Sequence, residues 1–185
     1  PRVHDAIRTV KLKLTDSGET RGRWVIEGDL SSYFDTVHHR LLMKAVRRRI
    51  SDARFMTLLW KTIKAGHIDV GLFRAASEGV PQGGVISPLL SNIMLNEFDQ
   101  YLHERYLSGK ARKDRWYWNN SIQRGRSTAV RENWQWKPAV AYCRYADDFV
   151  LIVKGTKAQA EAIREECRGV LEGSLKLRLN MDKTK

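Results

Sequence analysis

The chain has 185 residues, and 33 Lys and Arg against 21 Asp and Glu give a formal net charge of +12. Hydrophobic residues make up 42% of it, with six Trp, six Tyr and five Phe, so the composition excludes a wholly disordered chain and allows one sizeable core. A pI near 10.0 favours a polyanionic partner, because clustered Lys and Arg bind phosphate groups.

Targeting signals are absent from the sequence. The longest apolar run, Phe149 to Val153, is far shorter than the roughly 20 residues of a membrane helix, and the N-terminus lacks a signal peptide pattern. Cys143 and Cys167 have neither zinc-ligand spacing nor the density of a disulfide scaffold. We therefore expect a cytoplasmic protein that does not contact a membrane.

The first predicted strand, Trp24 to Asp29, follows a turn-rich stretch and ends on a carboxylate. Apolar residues at helical spacing then predict two amphipathic helices, from Leu41 to Ile50 and from Phe55 to Ile63. Aromatic and β-branched residues between Val70 and Ala76 predict a weak hairpin around Gly71.

A long amphipathic helix is predicted next, with Ser87 as its N-cap, Pro88 at its first position and an apolar face that extends to Leu102. Residues 105–138 break this pattern, since they contain nine Lys or Arg, two acids and four of the six Trp without a regular period. We predict an irregular basic and aromatic insert there. Its Trp and Arg could stack on RNA or pack back on the domain, and the sequence favours neither.

The last third of the chain predicts a hairpin, a helix and a strand. The runs Val140 to Ala146 and Phe149 to Val153 form the hairpin around Asp147-Asp148. A capping-box pattern at Thr156 begins a helix, and strict alternation from Leu175 to Leu179 predicts a half-exposed strand. This order of elements indicates an α+β fold, an antiparallel sheet covered by helices.

Three carboxylates mark the ends of predicted strands: Asp29 after the first strand, and Asp147 and Asp148 in the hairpin turn. Carboxylates about 4 Å apart repel each other by roughly 1–4 kcal/mol, so a site that gathers them requires a cation, and oxygen ligands favour Mg²⁺. Two such ions can activate a 3′-hydroxyl and stabilise a leaving pyrophosphate, which is nucleotidyl transfer. An Asp-Asp pair is also ordinary turn chemistry in contact with water.

Four blocks in a fixed order decide between these alternatives: Asp29-Leu-Ser-Ser-Tyr-Phe-Asp35, Gly79-Val-Pro-Gln-Gly-Gly-Val-Ile-Ser-Pro-Leu-Leu90, Tyr145-Ala-Asp-Asp148 and Leu177-Arg-Leu-Asn-Met-Asp-Lys-Thr184. They resemble the motifs of reverse transcriptases, most closely those encoded by bacterial group II introns, which also act as maturases. The resemblance extends from about residue 24 to the last residue, except in the insert. It implies that residues 1–185 are one reverse transcriptase domain fragment, a right-hand polymerase palm with part of the fingers, with the thumb and N-terminal fingers absent.

The resemblance implies roles for particular residues. The carboxylates Asp29, Asp147 and Asp148 would be catalytic metal ligands, with the Leu30 carbonyl as an extra ligand. The nucleotide would be contacted by Phe34, Gln82, Gly83 and Lys183. Phe34 would lie under the sugar and exclude a 2′-hydroxyl, although the same spacing fits a core aromatic. Lys183 would lie near the leaving phosphate, although an exposed lysine is the commoner case.

Nucleic-acid contacts are expected from basic and aromatic residues on the helices and in the insert, although such residues can also form a solvated face. These residues are Arg47, Arg48, Arg115, Trp116, Arg124 and Arg126.

The resemblance implies an RNA-directed DNA polymerase of a group II intron-type mobile element, which uses two Mg²⁺ ions. Its partners would be an RNA template, a primer strand, a deoxynucleotide (dNTP) and intron RNA. The alternatives are a non-catalytic RNA-binding splicing cofactor that keeps the polymerase fold, and a reverse transcriptase fused to a defence or adaptation protein. We expect residues 1–185 alone to polymerise poorly, because substrate positioning is a large part of phosphoryl-transfer catalysis.

Overall fold

The computed structural model describes residues 2–15, 23–65, 67–69, 72–74, 78–80, 84–108 and 138–180. Its helices are α1 (Val3–Thr15), α2 (Tyr33–Thr36), α3 (His39–Arg47), α4 (Ala53–Lys64), α5 (Ser87–Leu102) and α6 (Lys157–Arg168). Its strands are β1 (Arg23–Gly28), β2 (His67–Asp69), β3 (Leu72–Arg74), β4 (Ala139–Tyr145) and β5 (Asp148–Lys154). Wider π-helical turns follow α5 at His103–Leu107 and α6 at Gly169–Ser174.

Among the described residues, the main sheet has three antiparallel strands in the order β1-β5-β4. Strand β5 lies in the centre, and its Leu151 and Val153 are fully buried. The β1–β5 register runs from Arg23 opposite Lys154 to Gly28 opposite Phe149. The predicted hairpin around Gly71 is also present, as the small sheet in which β2 pairs with β3.

Helices α5 and α6 supply much of the core beside this sheet. The ring of Phe98 in α5 contacts Phe149 of β5 and Tyr142 of β4 edge to face, with centroids 5.3 and 6.1 Å apart. From α6, Ile163 and Cys167 join the same buried cluster. Burial raises the pKa of the Cys167 thiol to about 12, so this thiol stays protonated and acts as a small apolar group.

One capping prediction is confirmed, that of the capping box at the start of α6. Thr156 forms the predicted capping box, because its hydroxyl accepts from the Gln159 amide and the Gln159 side chain accepts from the Thr156 amide. The two predicted amphipathic helices are α3 and α4, and their caps are His38, which accepts from the Leu41 amide, and Asp52, which accepts from the Phe55 amide.

Two predictions require correction: the N-cap of α5 and the strand near the end of the chain. Helix α5 begins at Ser87 itself, so Ser87 is its first residue and not its N-cap; the N-cap is Ile86, whose side chain provides no capping bond. The strand predicted from Leu175 to Leu179 is reduced to one bridge between Leu179 and Leu30. Its alternating burial is as predicted, but Lys176 has a φ of 59°, which interrupts an extended strand.

Helix α1 was not predicted. It packs against β4 and β5, where the Cys143 Sγ lies 3.9 Å from the Ala6 carbonyl oxygen. None of its residues is buried, and Val3, Ile7 and Leu12 remain exposed. Its apolar residues Val3, Ala6, Ile7, Val10 and Leu14 do recur at helical spacing, so the sequence carried a signal for this helix.

A polar cluster joins α6 to the end of α5. Glu166 accepts hydrogen bonds from the Tyr101 hydroxyl, from the Tyr106 hydroxyl at 2.5 Å and from Arg105 Nε at 2.9 Å. Burial alone would raise the pKa of Glu166, but these three donors lower it below its ordinary value. The cluster therefore holds a charged carboxylate between the two helices.

Within the part of the chain that the structure describes, none of the helices combines the length and the apolar character needed to cross a membrane.

The close approach of β1 to Phe149 predicts a glycine requirement. A Cβ at Gly28 would lie 2.1 Å from Cζ of Phe149, whose ring is buried against Phe98. Gly28→Ala should therefore destabilise the full-length protein by about 1–3 kcal/mol in a denaturant titration. Gly169→Ala is the matched control: a Cβ there meets nothing within 4 Å and its φ of −58° is helical, so this change should be neutral or stabilising by up to about 1 kcal/mol. Equal effects of the two substitutions would contradict the packing argument.

Candidate active site

The β1–β5 register brings the predicted carboxylates to one end of the sheet. Gly28 pairs with Phe149, so Asp29 and Asp148 follow one step further along neighbouring strands. Asp147 precedes Asp148 in the hairpin turn. Asp29 and Asp147 are half-buried, whereas Asp148 is exposed. The structure thus places the first and third sequence blocks side by side.

The turn that carries Asp147 differs by one residue from the predicted turn. Asp148 pairs with Tyr145 as the first residue of β5, so the two turn residues are Ala146 and Asp147. Ala146 has a φ of 55°, in the left-handed region that favours glycine. A non-glycine residue there costs on the order of 1–3 kcal/mol, so surrounding contacts must hold the turn in this conformation.

Arg144 and Asp99 form an ion pair behind this turn that the sequence analysis missed. Arg144 Nη2 lies 2.6 Å from Asp99 Oδ2, and its Nε donates to Asp99 Oδ1 at 2.9 Å. The Tyr142 hydroxyl also donates to Asp99 Oδ1, at 2.6 Å. Burial alone would lower the pKa of Arg144, but the bonds to Asp99 outweigh it and raise the pKa above its ordinary value.

Asn180, in the fourth block, forms two hydrogen bonds with Asp29. Its amide side chain donates to Asp29 Oδ2 at 3.2 Å, and its backbone N–H donates to the Asp29 carbonyl at 2.9 Å. The Ser31 amide completes the bridge by donating to the Arg178 carbonyl at 2.8 Å, so the Leu30 carbonyl takes no part in it. Asn180 belongs to the fourth motif block, but its residue type and spacing did not predict this contact.

The donor set at this end of the sheet is made of carboxylate oxygens, which suit a hard cation. Among the described residues, no three His, Cys, Asp or Glu side chains lie close enough together to hold a metal ion by themselves. Mg²⁺ is usually held by one or two carboxylates together with substrate phosphates and water. The residues present therefore fit an ion that is shared with a bound substrate.

Phe34 lies in α2, half-buried against the core, with its ring centroid 5.7 Å from that of Tyr33. The Val80 amide donates to the Phe34 carbonyl at 2.6 Å. Gly79 has a φ of 86°, and a Cβ there would lie 2.8 Å from the Phe34 carbonyl oxygen. The start of the loop that continues to Gln82 is therefore fixed against the Phe34 backbone.

His39 anchors the same loop. It is buried, and its Nε2 donates to the Gly79 carbonyl at 2.5 Å, so Nε2 carries the proton. Its ring meets Trp60 edge to face, with centroids 6.2 Å apart. This role of His39 could not be predicted from the sequence, because its bonded partner is a backbone carbonyl, which every residue carries.

A groove of about 840 Å³ runs between α3 and α4. Its floor is apolar, its rim is basic, and none of its ten described lining residues is acidic. The residues that define it are Met43, Met56, Trp60, Arg40, Lys44 and Arg47. Arg48 instead pairs with Glu97 at 2.6 Å, which ties the end of α3 to α5.

Other predicted site residues fall outside the described part of the chain. For the nucleotide these are Gln82, Gly83 and Lys183. For nucleic acid they are the insert residues Arg115, Trp116, Arg124 and Arg126.

Residues 4–185 match the family described as Reverse transcriptase (RNA-dependent DNA polymerase). The chain belongs to the reverse transcriptase family. It is 98% identical over 183 residues to Protein YkfC of Escherichia coli (strain K12), an alignment that covers 99% of this chain and 48% of YkfC. It is 28% identical over 212 residues to the group II intron-encoded protein LtrA of Lactococcus lactis subsp. cremoris, covering 98% of this chain and 34% of LtrA.

The fold is also that of known reverse transcriptases. The structure of apo telomerase from Candida tropicalis superposes with a TM-score of 0.62 at 11% identity, covering 98% of this chain and 32% of that one. The predicted α+β palm fold and the group II intron resemblance are therefore confirmed. The chain spans about half the length of YkfC and about a third of LtrA.

Proposed function

We propose that this chain is the catalytic palm of an RNA-directed DNA polymerase of group II intron type. The observation that carries the proposal is the register of β1 and β5, which places Asp29 beside Asp148 and the Asp147 turn. Carboxylates at one end of a sheet supply the oxygen ligands that Mg²⁺ prefers, which suits a metal-dependent enzyme. Membership of the reverse transcriptase family supports the same reading.

In this proposal Asp29 and Asp147 are the principal ligands of two Mg²⁺ ions, with Asp148 as the third carboxylate and the Leu30 carbonyl as an extra ligand. The bound ions would activate the primer 3′-hydroxyl and stabilise the leaving pyrophosphate. The side chain of Asn180 holds one Asp29 oxygen at 3.2 Å and so restricts the orientation of that carboxylate. The substrates are a primer strand on an RNA template and a deoxynucleotide.

The nucleotide would lie between Phe34 and the loop that begins at Gly79 and Val80. Hydrogen bonds from His39 and to Phe34 hold Gly79 and Val80 at the start of that loop. We assign nucleotide contacts to Gln82 and Gly83, which follow in the sequence. We assign Lys183 to the leaving phosphate, where a cation stabilises developing negative charge.

Intron RNA is the proposed second partner. The chain is 26% identical over 189 residues to Nuclear intron maturase 4, mitochondrial, of Arabidopsis thaliana, covering 92% of this chain and 23% of that protein. The names of this relative and of LtrA both refer to introns, which supports a maturase role. A non-catalytic splicing cofactor is the alternative function, and it predicts intron RNA binding without nucleotide addition.

Loss of a central carboxylate separates the two functions. Asp29→Asn and Asp147→Asn in the full-length protein should each lower primer extension on an RNA template with Mg²⁺ by at least about 100-fold. RNA binding should change little, since one charge contributes little beside a surface with a net charge of +12. Asp52→Asn is the matched control, because asparagine still caps α4 and the change removes the same charge outside the site.

Wild-type protein that binds intron RNA and promotes splicing but extends no primer would favour the cofactor. Extension that survives both substitutions would also contradict the assigned roles of Asp29 and Asp147.

The role of Phe34 as a sugar gate predicts a change in a ratio. Phe34→Ala in the full-length enzyme should raise ribonucleotide incorporation relative to deoxynucleotide incorporation by about 10-fold or more, because space opens for a 2′-hydroxyl. Competing single-nucleotide additions measure this ratio. Phe98→Leu serves as the core control: it should lower the melting temperature and leave the ratio unchanged. If Phe34→Ala behaves like Phe98→Leu, Phe34 is a core residue and not a gate.

The groove between α3 and α4 is the proposed path for an RNA backbone. In this proposal Arg47 contacts the RNA phosphates, whereas Arg48 stays in its ion pair with Glu97. Replacing Arg40, Lys44 and Arg47 together by Gln should weaken RNA binding and reduce the slope of log K against log salt by about 2–3. The control removes the same charge from α6 at Lys157, Arg164 and Arg168, each already paired with a glutamate. Equal losses from both triple variants would mean that net charge alone matters, or that another part of the protein covers the groove.

A further inference from the structure

The side chain of Arg144 reaches the turn that carries Asp147 as well as its ion-pair partner. Arg144 Nη1 donates to the Ala146 carbonyl at 2.7 Å and to Asn92 Oδ1 at 3.0 Å. The other two nitrogens bind both oxygens of Asp99. The side chain is only 13% exposed, and its bonds to Asp99 are partly buried, whereas its bonds to Asn92 and Ala146 lie at the surface.

The contact with the turn falls on its strained residue. Ala146 has a left-handed φ of 55°, and its carbonyl belongs to the planar peptide group that leads into Asp147. A hydrogen bond to this oxygen fixes the plane of that peptide, and with it the direction in which the Asp147 backbone departs. A turn residue in a sparsely populated conformation persists only where neighbouring groups hold it.

The other side of the guanidinium is fixed to α5. Asp99 is held by the Tyr142 hydroxyl at 2.6 Å, and Asn92 donates in turn to the Pro88 carbonyl at 2.9 Å. Both Asp99 and Asn92 lie on α5, whose Phe98 packs against the sheet. The planar fork of Arg144 therefore connects a rigid helix with the turn at the strand ends.

We propose that Arg144 is a positioning residue, which sets the Ala146-Asp147 peptide relative to α5 and thereby places the Asp147 carboxylate. Its effect on catalysis rests on the proposed polymerase function, whereas its effect on the turn does not. A lysine at position 144 could keep an ion pair with Asp99. Its single ammonium on a flexible stem could not also reproduce the fixed geometry to Asn92 and the Ala146 carbonyl.

Arg144→Lys in the full-length protein tests the proposal through two measurements. Hydrogen–deuterium exchange of the peptide that contains Ala146 to Phe149 should become at least about 5-fold faster. In primer extension, kcat should fall at least about 10-fold while the KM for the deoxynucleotide changes less than about 3-fold, because the change misplaces a catalytic group and leaves the nucleotide site intact.

Arg105→Lys is the matched control, since Arg105 also joins two helical segments through an ion pair with a carboxylate, that of Glu166, but is about half exposed and lies away from the turn. It should leave both exchange at the turn and kcat within about 2-fold of wild type, with a similar small change in melting temperature. Asp99→Asn is a second variant, which weakens the anchor of Arg144 and should shift exchange and kcat in the same direction as Arg144→Lys.

Unchanged exchange at the turn in both Arg144→Lys and Asp99→Asn would overturn the proposal. So would a loss of kcat in Arg105→Lys as large as that in Arg144→Lys, since the ion pair would then act only through general stability. If the wild-type protein shows no polymerase activity, the proposed function fails, and the exchange measurement alone decides whether Arg144 positions the turn.

Discussion

The antiparallel register between β1 and β5 is the constraint on which the rest of the site depends. Side chains alternate between the two faces of a strand, so a slip of one residue would turn every core residue of β1 outward and separate Asp29 from Asp148. Contact between Gly28 and the Phe149 ring opposes such a slip, because only a glycine fits over that ring. The core packing that stabilises the sheet thus also aligns the carboxylates.

Helix α5 extends this constraint to the two segments that carry the carboxylates. In the first block, the Tyr33 hydroxyl donates to the Ser91 carbonyl of α5 at 2.5 Å. In the third block, Arg144 binds Asp99 and Asn92 of the same helix. Burial raises the pKa of Tyr33 above its ordinary range, so this hydroxyl stays protonated and donates to α5. Helix α5 therefore holds both the segment that carries Asp29 and the segment that carries Asp147.

Sequence could predict the features that depend on neighbouring residues. The capping box at Thr156, the helices α3 and α4 and the hairpin β4–β5 all follow from residue types within a few positions of one another. The site carboxylates were found through their motif order, and the family and fold predicted from it are confirmed. Their roles as metal ligands stay predictions.

The missed features depend on residues far apart in the chain. The contact of Asn180 with Asp29 joins positions 151 residues apart, and that of Arg144 with Asp99 joins positions 45 residues apart. A single sequence carries no periodicity that reports such pairs. The left-handed φ of Lys176 likewise interrupts an alternating pattern that looked like a strand, because the chain must bend to bring Leu179 to Leu30.

The ion pair behind the turn also has an electrostatic consequence for the carboxylates. An arginine beside Asp147 without another partner would compete with a metal cation for the Asp147 carboxylate. It would then hold the turn by attraction to the same carboxylate that must stay available to the metal. Asp99 neutralises Arg144 through two hydrogen bonds, and the remaining guanidinium nitrogen binds a neutral carbonyl, that of Ala146. The positive charge of Arg144 is thereby balanced by Asp99 on α5, while its guanidinium group still holds the turn through the Ala146 carbonyl. This arrangement lets a strongly basic chain hold its carboxylate-bearing turn without directing the Arg144 charge at the carboxylates themselves.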